Sequence, residues 1–208
     1  MAFTREAVEE LSAQRSEPAW LRDARLQAWK AFEGEPMPDS SKDEDWRRTD
    51  VSKLNLDAFS PSLNGANAPA LESESLPDGV IFCTLEEAIQ RWPDLVREQL
   101  SAPSGKFEAL NAALWSGGAF VYVPENAQVE LPLVATYGSV GSGESGVAAA
   151  LFPRTLVIVD RGACVTFVDH FASDDSRLAS HASLSSASTH LVVKEGARLQ
   201  YVSLQERS

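Results

Sequence analysis

The chain has very little cysteine. Its 208 residues include two, Cys83 and Cys164, which lie 81 positions apart, so local spacing provides neither a CxxC pair nor a zinc clip. A metal site needs three or four converging ligands, and the sequence adds only three histidines to the two thiols. We therefore predict no metal site in this chain.

Long apolar runs and an excess of positive charge are also absent. No run approaches the roughly 18 apolar residues of a membrane-spanning helix, and the N-terminus MAFTREAVEELSAQR carries acids where a signal peptide needs a basic start. We predict a cytoplasmic protein without membrane attachment. Lys and Arg total 18 against 30 Asp and Glu, and the net charge of −12 repels phosphate backbones. Nucleic acid is therefore excluded as a predicted partner.

No standard catalytic motif occurs: GxxxxGK[ST], HExxH, GxSxG and the EF-hand loop are all missing. The segment GSGESG, with Gly141, Gly143 and Gly146, satisfies the dinucleotide-binding pattern GxGxxG. Only six residues separate it from Pro153, too few for a crossover helix, and Glu144 places negative charge where phosphates would bind. We interpret the segment as a loop, predict no catalytic residue, and expect that the chain is not an enzyme.

The most informative feature present is a block that occurs three times, as FVYVPENAQVELPL, LVIVDRGACVTFVDHF and LVVKEGARLQYVSL. Each copy has an apolar strand, a polar step, Asn-Ala or Gly-Ala, and a second, alternating strand. Asn126, Gly162 and Gly196 stand at the hinges because Gly and Asn tolerate positive φ. Their spacing of 36 and 34 residues is typical of a solenoid, in which strands of successive repeats stack.

The hydrophobic period divides the chain near residue 116. Residues 7–15 and 18–32 have helical spacing, and Thr84-Leu85-Glu86-Glu87 matches a capping box that starts another helix before Pro93. Residues 60–79 are rich in Pro, Ser and Asn and predict a flexible loop. We predict a mainly helical domain over 1–115 and the start of a strand-rich core over 116–208.

Three histidines at separations of 11 and 9 invite a metal-site interpretation, because a solenoid can bring side chains of successive repeats together. Nearby aspartates would add oxygen ligands. Spacing alone does not establish convergence, so we predict ordinary surface residues and keep a ligand role as the alternative. The residues concerned are His170, His181, His190, Asp169, Asp174 and Asp175.

Two further features have structural and functional interpretations. Strand alternation places Cys164 and Thr166 on one face and Val165 and Phe167 on the other, without indicating which face is inside. We predict a half-buried structural thiol, with sulfur handling as the alternative. In the segment WRRT at 46–49, we expect the arginines to pair with local acids and the tryptophan to pack on the helical hairpin, rather than to form a binding patch.

Several segments together resemble the SufB/SufD family of iron–sulfur cluster assembly proteins. The most specific are LNAALWSGGAFVYVPENAQVELPL and RTLVIVDRGACVTFVDHF, while PAWLRDAR and DEDWRRTD favour the SufD branch. The resemblance covers almost the whole chain. It implies an α+β protein in which an N-terminal helical domain is followed by a right-handed parallel β-helix.

The resemblance also implies a function. A SufD-like protein acts with a SufB-like subunit and a SufC-like ABC ATPase as a scaffold for cluster assembly, and it assists iron acquisition rather than catalysing a reaction. The family's complex is associated with a reduced flavin, although no flavin-binding motif occurs in this sequence. Because an iron–sulfur cluster usually takes four thiolate or imidazole ligands, we expect none to be bound by this chain alone.

The family pattern continues for about as long again beyond the point that matches Ser208. We therefore expect an N-terminal fragment whose β-helix is truncated, and an uncapped solenoid end that either dimerises or is protected by a partner. The Cys and His residues that the family uses at its subunit interface fall in the later part. No position here inherits their roles, including Cys164 and His170.

Two other classes remain as alternatives. A pectate-lyase-like β-helix enzyme would also stack strands, and Asp174-Asp175 resembles part of an acid cluster, but no further acids or bases on neighbouring strands are evident. A plain interaction module is the second alternative. A hexapeptide acyltransferase is disfavoured because no six-residue period occurs.

Overall fold

A computed structural model of the protein describes residues 3–62, 68–138, 148–172 and 184–206. The helices in these ranges are α1 (Arg5–Gln14), α2 (Ala19–Gly34), α3 (Leu85–Arg91), α4 (Pro93–Arg97) and α5 (Lys106–Leu114), with short 3₁₀ helices at Glu44–Trp46 and Leu56–Ala58. The strands are β1 (Phe59–Pro61), β2 (Ala70–Glu72), β3 (Ile81–Thr84), β4 (Ala119–Val123), β5 (Leu133–Tyr137), β6 (Ala148–Leu151), β7 (Arg154–Val159), β8 (Cys164–Ala172), β9 (Leu184–Ser185), β10 (Ser188–Val193) and β11 (Arg198–Glu206). Within these ranges, no helix has the length and hydrophobicity of a membrane span.

Local sequence signals account for the helix starts. Thr4 caps α1, and its side chain accepts a hydrogen bond from the Ala7 backbone amide. The predicted capping box at Thr84 is confirmed, because its Oγ1 accepts from the Glu87 amide at 3.2 Å. Pro93 stands at the first position of α4, where its missing amide hydrogen removes no helical hydrogen bond.

The strands form three sheets, with the orders β10-β7-β4-β3, β11-β8-β5-β2 and β1-β6-β9. Strands of successive repeats are parallel neighbours: Phe120 pairs with Leu156, and Leu156 with His190. In the second sheet, Leu133 pairs with Phe167, and Phe167 with Tyr201. The sequence offset of 34–36 residues is therefore the offset between paired residues of neighbouring strands.

The prediction of a right-handed parallel β-helix is wrong. The described residues form an α+β arrangement of one parallel and two mixed sheets, with no closed solenoid among them. Strands β2 and β3 come from the first part of the chain and pair antiparallel with β5 and β4. The repeat spacing specifies which strands are neighbours, but it does not specify closure into coils or the addition of antiparallel edge strands. The repeat was therefore over-interpreted.

The division near residue 116 stays a prediction. Three strands that precede it, β1, β2 and β3, pair with strands that follow it. Strand β2 falls inside the segment 60–79 that the sequence predicts as a loop, and residues 63–67 of that segment lie outside the described residues. Composition indicated a loop there because Ala70 and Glu72 carry little apolar surface, whereas backbone pairing with β5 defines the strand.

Strand β7 separates two hydrophobic cores. Its side chains Leu156 and Ile158 face the helices, where they join Leu114 and Phe120 in one core. The alternate side chains, Val157 and Val159, face the second sheet. Every residue of β7 is buried, and its run from Leu156 to Val159 is accordingly apolar without interruption. The helices, the sheet containing β7 and the sheet containing β8 are consequently three successive layers.

The turns between repeats have the backbone geometry that the sequence predicts. Asn126, Gly162 and Gly196 have φ values of 63°, 67° and 70°, respectively. A Cβ added to Gly162 would lie 2.5 Å from Asn126 Oδ1 of the neighbouring turn. Gly162 is thus required both for its positive φ and for the close approach of successive turns.

A buried arginine joins the helical layer to the strands. The Arg25 guanidinium donates to both carboxylate oxygens of Glu17 at 2.7 and 2.8 Å, and to the backbone carbonyls of Ala113 and Trp115 at 3.1 and 3.0 Å. It also lies 4.2 Å from the centroid of the Trp115 ring. Burial lowers the pKa of Arg25, and the hydrogen bonds to Glu17 oppose this shift. Arg25 therefore links α1–α2 to the end of α5, just before β4.

Replacing Arg25 with Met should lower the free energy of unfolding by about 3–5 kcal/mol, because the Glu17 carboxylate would remain buried without its cation. Urea denaturation checks this. Arg5→Met, which removes an exposed i,i+4 pair with Glu9, is the matched control and should have a much smaller effect. Equal losses in the two variants would contradict the role assigned to Arg25.

Candidate functional site

The most polar cluster in the inter-sheet core surrounds Asp169 of β8, which has no solvent exposure. Its Oδ1 accepts a hydrogen bond from Thr155 Oγ1 at 3.1 Å, and its Oδ2 accepts from Thr189 Oγ1 at 3.2 Å and from the Tyr201 hydroxyl at 2.9 Å. The Tyr137 hydroxyl lies 2.8 Å from Thr155 Oγ1. Side chains of five strands thus form one hydrogen-bonded cluster around this carboxylate, and the cluster links both four-stranded sheets.

Burial dominates the electrostatics of this cluster. It raises the pKa of Asp169 above its ordinary value, against the opposing effect of the three donating hydroxyls. Burial likewise raises the pKa of Tyr137 and Tyr201, which keeps both phenols protonated at neutral pH. The arrangement can satisfy a buried carboxyl group and hold two sheets together. With no exposure, Asp169 offers no contact to a dissolved substrate.

The histidines considered as ligands do not converge with Asp169. His170 lies on the opposite, outward face of β8, with Nε2 at 3.2 Å from Glu206 Oε2 and Nδ1 at 3.5 Å from Thr136 Oγ1. His190 lies on β10 beside Leu156, on the helix-facing side of the other sheet. His181, Asp174 and Asp175 are outside the described residues. Among those described, no three His, Cys, Asp or Glu side chains are grouped to hold a metal ion.

The two thiols occupy contrasting environments. Cys83 lies on β3 in the helix-facing core, and burial raises the pKa of its thiol to about 12. Cys164 is half-buried on β8. The sequence did not indicate whether the face of β8 that carries Cys164 is inside or outside, and the structure places it outside. Both sheets lie between the two thiols, a separation of more than about 10 Å. They therefore cannot bind the same metal ion.

Cys164 and His170 share the outward face of β8 but do not approach one another. They stand six residues apart on one extended strand, which corresponds to about 20 Å. The neighbours of Cys164 across the strands are Gln128 and Arg198, whereas those of His170 are Thr136 and Leu204. A joint thiol–imidazole site is excluded by this geometry.

The segment at 46–49 makes structural contacts of the kind that we expected. Arg47 Nη1 lies 3.1 Å from Glu44 Oε1, which confirms pairing with a local acid for this arginine. Trp46 packs against Phe107 of α5, with ring centroids 5.4 Å apart. Its packing on the α1–α2 hairpin stays a prediction. The GSGESG loop, 141–146, is outside the described residues.

A cleft of about 650 Å³ lies beside α1 and α3, and its charged side chains already have partners. Arg15 pairs with Glu86 and donates to the Ser116 carbonyl at 2.7 Å. Glu87 pairs with Arg91 at 2.7 Å. One oxygen of Glu86, Oε2, is buried without a hydrogen-bond partner. The cleft thus presents paired charges and apolar walls, which do not define a ligand.

Sequence reasoning missed the buried arginines Arg25 and Arg154. Arg25 carried a detectable signal, because it stands four residues from both Leu21 and Trp29 on the apolar face of α2. A cation on such a stripe indicates either a helix boundary or a buried ion pair. Arg154 follows Pro153 at the start of an apolar strand and had no comparable signal. Its burial depends on helices that pack over β7.

The layered α+β fold does not by itself identify the protein, and comparison with known proteins identifies the family. Residues 63–134 match the model described as the SufBD protein N-terminal region. Residues 140–208 match that of the SUF system FeS cluster assembly, SufBD core domain.

Curated relatives agree with these matches. Iron-sulfur cluster assembly SufBD family proteins of Staphylococcus epidermidis and Staphylococcus haemolyticus are 31% identical over 98% of this chain and 50% of their own lengths. A Staphylococcus aureus relative is 30% identical over the same shares. The chain belongs to the SufBD family, which confirms the resemblance found in its sequence. It spans about half the length of the curated relatives it matches.

Cys164 should react with a disulfide reagent in the folded protein, whereas Cys83 should not, because it is buried and its thiol pKa is raised. Absorbance titration at pH 8 should therefore detect one fast thiol, and both in denaturant. Cys164→Ser should remove the fast phase, and Cys83→Ser should leave it unchanged. A fast phase that survives Cys164→Ser would contradict the assigned positions.

Asp169→Asn should remove one component of the pH dependence of stability. Because the folded-state pKa of Asp169 is raised, its contribution is fully present below the unfolded value of about 3.9 and is lost as pH rises through the folded value. The unfolding free energy of the wild type minus that of the variant should fall over this window. Urea denaturation of both proteins from pH 4 to pH 8 measures this difference in unfolding free energy. A difference that rises with pH would contradict a raised pKa of Asp169.

Proposed function

We propose that this chain acts as a SufD-like scaffold or accessory subunit of the SUF iron–sulfur cluster assembly machinery. It assists cluster assembly and iron acquisition, together with a SufB-like scaffold and a SufC-like ATPase, and it is not itself an enzyme. The observation that carries this proposal is the similarity of 98% of the chain to iron-sulfur cluster assembly SufBD family proteins. The segments PAWLRDAR and DEDWRRTD favour the SufD branch within the family.

The positions of the thiols support a scaffold role. Cys83 is buried against the helices and Cys164 lies on the outer face of the second sheet, so the two cannot ligate one iron ion. In this proposal the nascent cluster is cargo of the complex and is bound with ligands from partner subunits. Any reduced flavin belongs to the complex as well, since no residue of this chain is assigned to it.

The two adjacent strands β10 and β11 offer a surface suited to a protein partner. Within the described residues, each is the last strand of its sheet and has a neighbour on one side only. Four of the exposed large apolar side chains lie on these strands: Leu191, Val193, Val202 and Leu204. An edge of this kind can pair with a strand of another chain. We propose that the SufB-like subunit contacts this surface, with a second copy of this chain as the competing occupant.

The proposed location and the alternative enzyme function depend on charge and on the arrangement of the strands. We propose a cytoplasmic protein, and its net charge of −12 supports one that binds neither nucleic acid nor an anionic membrane. A pectate-lyase-like activity depended on a β-helix, which the described strands do not form, and on Asp174 and Asp175, which lie outside the described residues. No observation favours that enzyme over the scaffold.

Affinity-tagged chain should retain a SufB-like protein, alone or with a SufC-like protein, and native mass spectrometry gives the stoichiometry. Leu204→Glu should reduce retention about tenfold or more, because a charge buried at an interface costs more than about 1.4 kcal/mol. Leu131→Glu is the matched control, since Leu131 is 45% exposed and Leu204 43%, but it lies between β4 and β5.

The experiment distinguishes failure of the proposed subunit role from failure of the proposed β10–β11 contact surface. Retention of neither partner by the wild-type chain would reject its role as a binding subunit. Retention that Leu204→Glu and Leu131→Glu leave equally unchanged would reject the β10–β11 surface while keeping the subunit role. A chain that instead forms a homodimer sensitive to Leu204→Glu would favour the competing occupant.

A further inference from the structure

Arg154 is a buried cation without a carboxylate partner. It is 8% exposed, on the helix-facing side of β7, and within the described ranges its one side-chain hydrogen bond is from Nη1 to Asn111 Oδ1 at 3.1 Å. It makes no ion pair within the described part of the chain. Arg25, in contrast, is buried against both oxygens of Glu17. Buried charges are normally paired, so Arg154 is the exception that needs an explanation.

The surroundings hold Arg154 in place without neutralising it. Asn111 donates from Nδ2 to the Pro153 carbonyl at 3.0 Å and to the Ser186 carbonyl at 2.7 Å, which orients its Oδ1 toward the guanidinium. Glu108 is the acid whose charge acts on Arg154, but the two form no ion pair, and Glu108 Oε2 accepts from the Ser104 amide at 2.7 Å. Asn111 Oδ1 is the acceptor that the described residues place on the Arg154 guanidinium, so a small ligand at this position could accept from its other N–H groups.

A small cavity of about 20 Å³ lies at this position. Its lining includes the polar residues Arg154 of β7, His190 of β10 and Gln99, which follows α4, together with the apolar residues Val96 and Leu156. A cavity needs roughly 10–15 Å³ of this kind of volume to hold one water molecule. The space thus fits one particle of that size, and neither a phosphate nor a carboxylate ligand.

We propose that this cavity binds a single monovalent anion of the size of chloride. The Arg154 guanidinium supplies the positive charge, and the Gln99 amide and the His190 imidazole supply further N–H donors. Apolar walls reduce screening by water and strengthen the attraction between the anion and the guanidinium. The bound anion would connect β7, β10 and the segment that follows α4, where none of the described carboxylates forms an ion pair with Arg154.

Bromide is the probe for a direct test. Crystals of the wild-type chain grown in sodium bromide should have one anomalous peak inside the cavity, next to the Arg154 guanidinium. Crystals of Arg154→Gln should lack that peak, while Arg161→Gln, at an exposed turn, should retain it. A water molecule in the cavity of the wild type at saturating bromide would overturn the proposal.

Thermal unfolding supplies a second readout, and its main comparison uses the wild-type chain alone. At constant ionic strength, the wild-type Tm should be higher in sodium chloride than in sodium gluconate, because gluconate is too large for the cavity. His190→Gln should reduce this difference, and Arg161→Gln should not. Equal Tm values of the wild type in the two salts would contradict anion binding, as would a difference that His190→Gln and Arg154→Gln both leave intact.

Discussion

The buried contact between Arg25 and Glu17 is the constraint on which the arrangement of layers depends. The guanidinium satisfies two carboxylate oxygens and two backbone carbonyls at the end of α5, where the chain turns into β4. The last carbonyls of a helix lack partners within it, so the arginine satisfies two such groups and holds α2 against the end of α5. The helices can then cover Phe120 and Leu156, which buries the β4–β7 sheet on both faces.

This two-sided burial explains where polar groups are found. The core between the sheets accommodates Asp169 only because Thr155, Thr189 and Tyr201 donate to it. Cys164 and His170, in contrast, lie on the outer face of β8, outside the core between the sheets. A rigid layered body with separated reactive groups suits a protein that presents surfaces to partners, which is consistent with the role we propose within the SufBD family.

Much of the local structure could be predicted. The turns at Asn126, Gly162 and Gly196 adopt the positive φ that their residue types indicate, and Thr84 caps α3 as its motif predicts. The repeat also identified which strands pair. Closure into a β-helix did not follow, because β2 and β3 pair antiparallel with β5 and β4. Pairing between distant segments depends on the whole chain, and strand spacing within a repeat contains no information about it.

The sequence by itself determined the positions of turns, the alternation along β8 and the family to which the chain belongs. Only the tertiary structure decided which face of β8 is inside, and therefore that Asp169 is buried while Cys164 lies on the outer face. It also decided that Arg25 has a carboxylate partner, whereas Arg154 has none among the residues that the structure describes. Turn geometry and alternation depend on neighbouring residues, whereas burial and charge pairing depend on elements far apart in sequence that pack against one another.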